Sequence, residues 1–267
     1  MYLLICVLFT IFIYLTIKFS AINMKTNVQG KWALITGANR GIGYRITKFM
    51  ASQGCNLVLH SRSLAHTEKV LAEVKAMGVD AYCVAAELSK SEEVTRMINE
   101  INAKGTQIDI LFNDAAVQIA YRTDYFQTPV EDYTQSFLIN TIAPMMLCYA
   151  FLPPMIERGF GRIINTTSGI RNEPQQAGYS ASKAALDKVT TDLAGTVDGT
   201  DVIISLADPG WCRTDLGGPN APNDPDSVIP GIILGAMVND KKSGRLFGAQ
   251  DFAGLTLEEA LSKAEKM

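Results

Sequence analysis

Short apolar runs alternate along the chain with stretches of helical periodicity. KWALIT, residues 31–36, is an apolar run closed by glycine, and a helical pattern follows over 41–53. NLVLHS (56–61) predicts a second strand and 64–77 a second helix, ended by Gly78. A third strand is expected at 79–86. A helix is expected to begin near Ser91, read as its N-cap, with Glu92 and Glu93 in the first turn. IDILFN (108–113) predicts the fourth strand, and a long helix follows over 130–157, where Pro144 and Pro153 are placed to bend or break it. GRIINTT (161–167) predicts the fifth strand, a helix bearing Tyr179 and Lys183 comes next, and DVIISL (201–206) predicts the sixth strand. A Pro- and Gly-rich loop over 209–225 precedes a helix near 226–239, a seventh strand near 244–248 and a last helix at 256–266. Alternating strands and helices, with mainly apolar strands, predict an α/β fold. Its core is a doubly wound, parallel, seven-stranded sheet with helices on both faces.

The 267 residues, 48% of them apolar and 19% charged, suit one domain with a large core. Ahead of it, Met1–Ile17 is almost unbroken apolar sequence, followed by Lys18. As a helix continued through Phe19 this run would reach about 28 Å, enough to cross a hydrocarbon core. It has neither the basic start nor the small-residue cleavage site of a signal peptide. Lys18, Lys25 and Lys31 follow it, so an anchor formed by residues 1–23 would leave the domain 24–267 on the cytoplasmic side of a membrane. The competing reading starts the physiological chain at Met24, as an ordinary soluble protein.

A formal net charge of −3, with Lys and Arg scattered and not clustered, argues against a nucleic-acid surface. The five cysteines (Cys6, Cys55, Cys83, Cys148, Cys212) are odd in number and widely spaced, so they read as thiols in a reducing compartment. His60 and His66 have no ligand-spaced neighbours, and no metal site is expected.

Between the first strand and first helix lies TGANRGIG, residues 36–43. Gly37, Gly41 and Gly43 are spaced G-x-x-x-G-x-G, a relative of the dinucleotide fingerprint of Rossmann-type folds. Glycines there allow a tight turn and let backbone approach a pyrophosphate at a helix N-terminus. The second strand ends His60-Ser61-Arg62-Ser63, without the carboxylate that commonly holds the ribose hydroxyls of NAD. Arg62 and Arg40, the latter inside the glycine loop, favour NADP instead, since arginine suits a 2′-phosphate.

Tyr179 and Lys183 lie four residues apart, one turn above the other on a helix face. A lysine ammonium in that position is expected to favour the phenolate and lower the tyrosine pKa, which would make Tyr179 a usable acid/base.

Together, TGxxxGIG, the Asn-containing segment after strand four, a Ser after strand five, Tyr-x-x-x-Lys and Pro-Gly after strand six resemble the classical short-chain dehydrogenase/reductase family. The resemblance covers about residues 28–250 in unbroken order. It implies hydride transfer between NADP(H) and a carbonyl/alcohol pair. Ser168 would bond the substrate oxygen, Tyr179 would pass the proton, and Lys183 would hold the nicotinamide ribose. Asn140 would hold a water linking Lys183 to solvent. Asp208-Pro209-Gly210 and Thr214 would position the nicotinamide and its carboxamide. Gly37, Asn39, Arg40, Gly41, Ile42, Gly43, Arg62, Glu87, Leu88 and Asn113 would complete the cofactor contacts. The loop 211–222 is similar to that of the carbonyl-reductase branch. Trp211, Leu216 and Pro219 there are either apolar substrate contacts or ordinary loop packing. The family often forms homo-oligomers through the helix bearing Tyr179 and the one before it.

Three departures stand out. The family's Asn-Asn-Ala-Gly appears as Asn113-Asp114-Ala115-Ala116, Glu87 replaces the usual Asp near the adenine, and Ser168 precedes Tyr179 by only eleven residues. The short spacing leaves Thr167 as an alternative to Ser168. A non-catalytic NADP-binding regulator on the same fold is the alternative function, opposed by the intact Ser/Tyr/Lys/Asn set.

Overall fold

A computed structural model describes residues 25–267; the segment 1–23, and its reading as an anchor, lie outside the described residues. The chain runs β1 (Trp32–Ile35), α1 (Gly41–Ser52), β2 (Asn56–Ser61), α2 (Glu68–Lys75), β3 (Ala81–Ala85), α3 (Ser91–Ala103), β4 (Ile108–Asn113) and α4 (Val130–Phe137). It continues through α5 (Ala143–Arg158), β5 (Gly161–Thr166), α6 (Ala177–Gly195), β6 (Val202–Asp208), α7 (Leu234–Met237), β7 (Leu246–Gly248) and α8 (Leu257–Ala264). The strands form one sheet in the order β3-β2-β1-β4-β5-β6-β7, every neighbouring pair parallel. The order reverses between β1 and β4, and in such sheets the crevice at the carboxyl ends of the strands there is the place for a ligand.

Alternation along each strand sends neighbouring side chains to opposite faces. In β1, Ala33 and Ile35 pack with residues of α1, α2, α7 and α8, while Leu34 joins those of α3 and α5 on the other face. Leu34, Leu57, Val58, Phe112 and Ile164 have no solvent exposure, so the central strands are buried on both sides, as their apolar sequences require. Truncating one of them, as in Leu34→Ala, is expected to cost about 3 kcal/mol.

Several predicted boundaries give way to local chemistry. Ser91 is not the N-cap of α3: Lys90 holds that position without a side-chain cap bond. The Glu93 carboxylate instead accepts the Glu87 N–H at 2.8 Å. The long helix is interrupted not at Pro153 but by a π-helical segment, Leu138–Ile142, just ahead of Pro144; Pro153 and Pro154 lie inside α5. Proline supplies no N–H, so the ladder is irregular where Pro144 enters. The helix expected near 226–239 divides into 3₁₀ turns at Pro225–Val228 and Gly231–Ile233 followed by the short α7, with Pro230 between the turns. The start of the predicted helix 64–77 is likewise a 3₁₀ turn, Leu64–Thr67. The last helix carries a complete capping box between Thr256 and Glu259.

Candidate active site

The cleft lies over the carboxyl ends of β1, β4, β5 and β6. The 36–43 loop forms one wall. Gly37 and Gly41 have φ of +69° and +56°, the left-handed region that glycine tolerates. A Cβ on Gly43 would stand 2.3 Å from the Gly37 carbonyl oxygen, so α1 starts hard against the loop. The first turn of α1 has no acidic residue and no side-chain cap, which leaves a cradle suited to a pyrophosphate. Ile42 packs on the core behind it, and Asn39 is half-buried in the loop. Thr214 approaches from the 209–225 loop, its Cγ2 3.7 Å from where a Gly41 Cβ would be.

His60 holds this loop from beneath. Its Nδ1 accepts the Gly37 N–H at 3.4 Å and its Nε2 lies 3.0 Å from the Ala86 carbonyl oxygen, the partners of a neutral ring. Burial pushes its pKa down to about 4. Arg62 is exposed just past the end of β2. Arg40 points outward and pairs with Asp215 at 2.8 Å. Glu87 accepts the Ser89 N–H at 3.2 Å, and Leu88 is buried.

On the other wall α6 presents Tyr179 and Lys183, both buried. The Ser168 hydroxyl lies in hydrogen-bonding reach of the Tyr179 hydroxyl, so the eleven-residue spacing still brings the two together. The Thr167 hydroxyl donates to the Asp187 carboxylate, and Asp187 lies on α6, so Ser168 is the hydroxyl that meets Tyr179. The Asp208 carboxylate ties the loops above β5 and β6 together, accepting the Gly169 N–H at 2.9 Å and the Gly210 N–H at 2.8 Å. Pro209 lies between these anchors, and its carbonyl accepts from Gln250 at 2.8 Å.

The expected effect of Lys183 on Tyr179 is not what the geometry produces. The Lys183 ammonium donates to the Thr166 carbonyl at 2.6 Å and stands 6.0 Å from the centroid of the tyrosine ring. Burial pushes the phenol above its ordinary value; the Ser168 bond pulls it down, and the Asp208 and Asp114 charges push it up. Burial pushes the lysine itself down to about 8, against the charges of Asp114, Asp187 and Asp208.

Asn140 sits in the π segment, fully buried. Its Oδ1 accepts the Val117 N–H at 2.9 Å, and its Nδ2 donates to the Val117 carbonyl at 2.9 Å and to Ser182 Oγ at 3.0 Å. Thr141 Oγ1 donates to the Ser182 carbonyl at 2.8 Å. These bonds locate α6 next to Lys183. Asn113 is turned into the interior, donating to Asn165 Oδ1 at 2.8 Å, away from the cleft. Its neighbour Asp114 faces the cleft, accepting from Thr166 Oγ1 at 2.9 Å and from the Gly43 amide.

His60, Thr166, Asp187 and the clamping bonds of Asp208 carry no motif, and no spacing could have assigned them roles. Among the described residues no group of three or more His, Cys, Asp or Glu is placed to hold a metal.

The short chain dehydrogenase family model matches residues 31–224. A short chain dehydrogenase of Pseudocercospora fijiensis is 30% identical over 90% of this chain and 85% of its own length. A 3-oxoacyl-[acyl-carrier-protein] reductase of Synechocystis is 31% identical over 72% of this chain and 78% of its own. Among solved structures, a metagenomic short-chain oxidoreductase in complex with NADP is 30% identical, with a TM-score of 0.73 over 84% of this chain and 98% of that one.

Proposed function

The chain belongs to the short-chain dehydrogenase family of oxidoreductases, and from that premise we propose that it interconverts a ketone or aldehyde and the corresponding alcohol with NADP(H). The observation that carries this reading is the convergence of the Ser168 and Tyr179 hydroxyls in one cleft, with the Lys183 ammonium buried beneath them. When bound, the cofactor supplies or accepts the hydride.

In the reducing direction Tyr179 gives its hydroxyl proton to the substrate oxygen, and in the oxidising direction its phenolate takes that proton back. Ser168 donates a hydrogen bond to the same oxygen and stabilises the charge developing there. Lys183, anchored to Thr166, places a positive charge where the ribose would lie and within electrostatic reach of the phenol. Asn140 fixes the depth of Lys183 through Ser182. The 36–43 cradle takes the pyrophosphate, with Pro209, Gly210 and Thr214 toward the nicotinamide end. Arg40 and Arg62 hold the 2′-phosphate of NADP. The NADP carried by the metagenomic relative supports that choice, and the 3-oxoacyl reductase relative supports a carbonyl substrate.

The 211–222 loop forms the substrate lid of a carbonyl-reductase-like enzyme. Trp211 and Leu216 expose apolar surface for the substrate, and Trp211 Nε1 braces the loop on the Gly217 carbonyl at 2.7 Å. Ile142, Tyr149 and Ile156, seven residues apart and all exposed, give the π segment and α5 an apolar stripe on which a second copy can pack. The apolar residues 1–22, with Lys18, Lys25 and Lys31 after them, support membrane attachment with the domain on the cytoplasmic side.

The test is NADPH and NADH consumption by the full chain against a panel of ketones, aldehydes and quinones. Turnover is expected with NADPH and is expected to vanish in Tyr179→Phe. Turnover that survives this substitution would overturn the mechanism.

A further inference from the structure

Asp114 lies where β4 ends, between the start of α1 and the catalytic helix, and nothing in the mechanism above uses it. Its carboxylate is held from two sides, by the Thr166 hydroxyl at 2.9 Å and by the Gly43 amide. Its own N–H and that of Ala115 donate to Thr36 Oγ1 at 2.9 and 3.0 Å, which pins the backbone under it. Thr166 serves two groups at once: its hydroxyl meets Asp114 while its carbonyl accepts the Lys183 ammonium at 2.6 Å. The two opposite charges therefore share one residue as their anchor, and Lys183 is the cation whose charge bears on the carboxylate.

The surrounding elements supply few other charges. From α6 come Tyr179, Lys183 and Asp187, whose carboxyl is engaged by Thr167 and faced by Arg171. The end of β6 supplies Asp208, committed to the Gly169 and Gly210 amides. His60, at the end of β2, is held neutral by burial. In the glycine loop Arg40 is drawn outward by Asp215. Thr36, just past the end of β1, adds only a neutral hydroxyl.

We propose that Asp114 is a positioning residue of the Tyr179–Lys183 pair, a fixed counter-charge sharing the Thr166 anchor with the lysine, whose negative field holds the proton on the Tyr179 hydroxyl. The inference deepens the proposed function and rests on its reading of Tyr179 as the proton-transfer group. With Asp114 ionised, its charge opposes that of Lys183, and Tyr179 keeps its proton to higher pH. With that charge removed, Asp208 is the remaining carboxylate that pushes the phenol up. Burial raises the Asp114 carboxyl to about 6, still well below the range in which Tyr179 titrates, so the counter-charge is in place when the phenol gives up its proton. A neutral amide at this position would not supply that charge.

The test is an ultraviolet tyrosinate titration of the full chain without substrate, with Tyr179→Phe subtracted to isolate the Tyr179 component. In Asp114→Asn that component is expected to move to lower pH by about one unit, the scale of one nearby charge. Asp114→Glu, which keeps the charge, is expected to restore it toward the wild-type position. Asp114→Ser is a second neutral variant should the first fail to fold. The pH profile of kcat should move to lower pH with the titration: the acid limb in oxidation, where the phenolate is needed, and the basic limb in reduction, where the protonated phenol is needed. A Tyr179 titration unmoved in both neutral variants, with turnover intact, would overturn the inference and leave the catalytic reading standing. A shifted titration without turnover in the wild type would support the charge relation and overturn the catalytic reading.

Discussion

Lys183 reaches Tyr179 through space and not by contact: its ammonium donates to the Thr166 carbonyl at 2.6 Å, 6.0 Å from the centre of the tyrosine ring. The lysine is thereby anchored to the end of β5, and Ser168 is the hydroxyl that stands beside the phenol. The two hydroxyls are free to share one substrate oxygen while the cation stays in its own place beneath.

Removing the phenolic hydroxyl leaves the ring to fill the same space. Tyr179→Phe is expected to lower kcat by about 10³-fold, within the usual range for a general acid/base. NADPH affinity, followed by quenching of protein fluorescence, should change by less than about threefold. A large loss of binding would show that Tyr179 serves the cofactor more than the proton.

Arg40 is 60% exposed at the side chain and is held by a similarly exposed Asp215, a pairing weak enough for a phosphate to replace. Arg40→Ala and Arg62→Ala are each expected to weaken NADPH binding about tenfold, or about 1.4 kcal/mol, and to leave NADH nearly unchanged. Parallel titrations of the two cofactors check this. Equal losses for both would remove the 2′-phosphate assignment.

Gly43 has no room for a side chain, since a Cβ would meet the Gly37 carbonyl oxygen at 2.3 Å. Backbone cannot swing aside as a flexible side chain does. Gly43→Ala should destabilise the fold by about 1–3 kcal/mol and impair cofactor binding together with it. Thermal unfolding with and without NADPH separates the two effects: the variant should melt lower and gain less from cofactor than the wild type.

His60 makes the fold sensitive to acid. Its folded pKa, about 4, lies below the unfolded value of 6.5, so between these values the unfolded chain binds the extra proton. Its contribution is complete above pH 6.5 and is lost as pH falls toward 4, on the order of 3 kcal/mol. Denaturant midpoints of wild type and His60→Gln, taken across that window, should show the flatter pH dependence in the variant. Identical slopes would mean that the ring does not titrate as its burial requires.

Much of this site is local in sequence. The G-x-x-x-G-x-G spacing, the one-turn separation of Tyr179 and Lys183, and the seven apolar runs report constraints acting over a few residues, and the sheet and its helices follow from them. The break at Pro144 was written in the sequence, while other boundaries moved for equally local but weaker reasons: Lys90 and not Ser91 takes the N-cap position of α3, Pro153 sits inside α5, and Pro230 divides the helix expected near 226–239.

Fold class and the order of elements were legible in the chain, because hydrophobic periodicity and glycine placement are local properties. Folding had to bring together residues far apart before the electrostatics could be read. Asp114 and Lys183 are joined through Thr166, His60 meets Gly37, and Asp208 ties Gly169 to Gly210. Helix spacing alone implies a lowered tyrosine pKa. Packing reverses the sign, because burial disfavours the phenolate and the charges of Asp208 and Asp114 bear on it as well. Proximity along a helix is written in the sequence; the dielectric and the charges around a group exist only once the chain has closed over it.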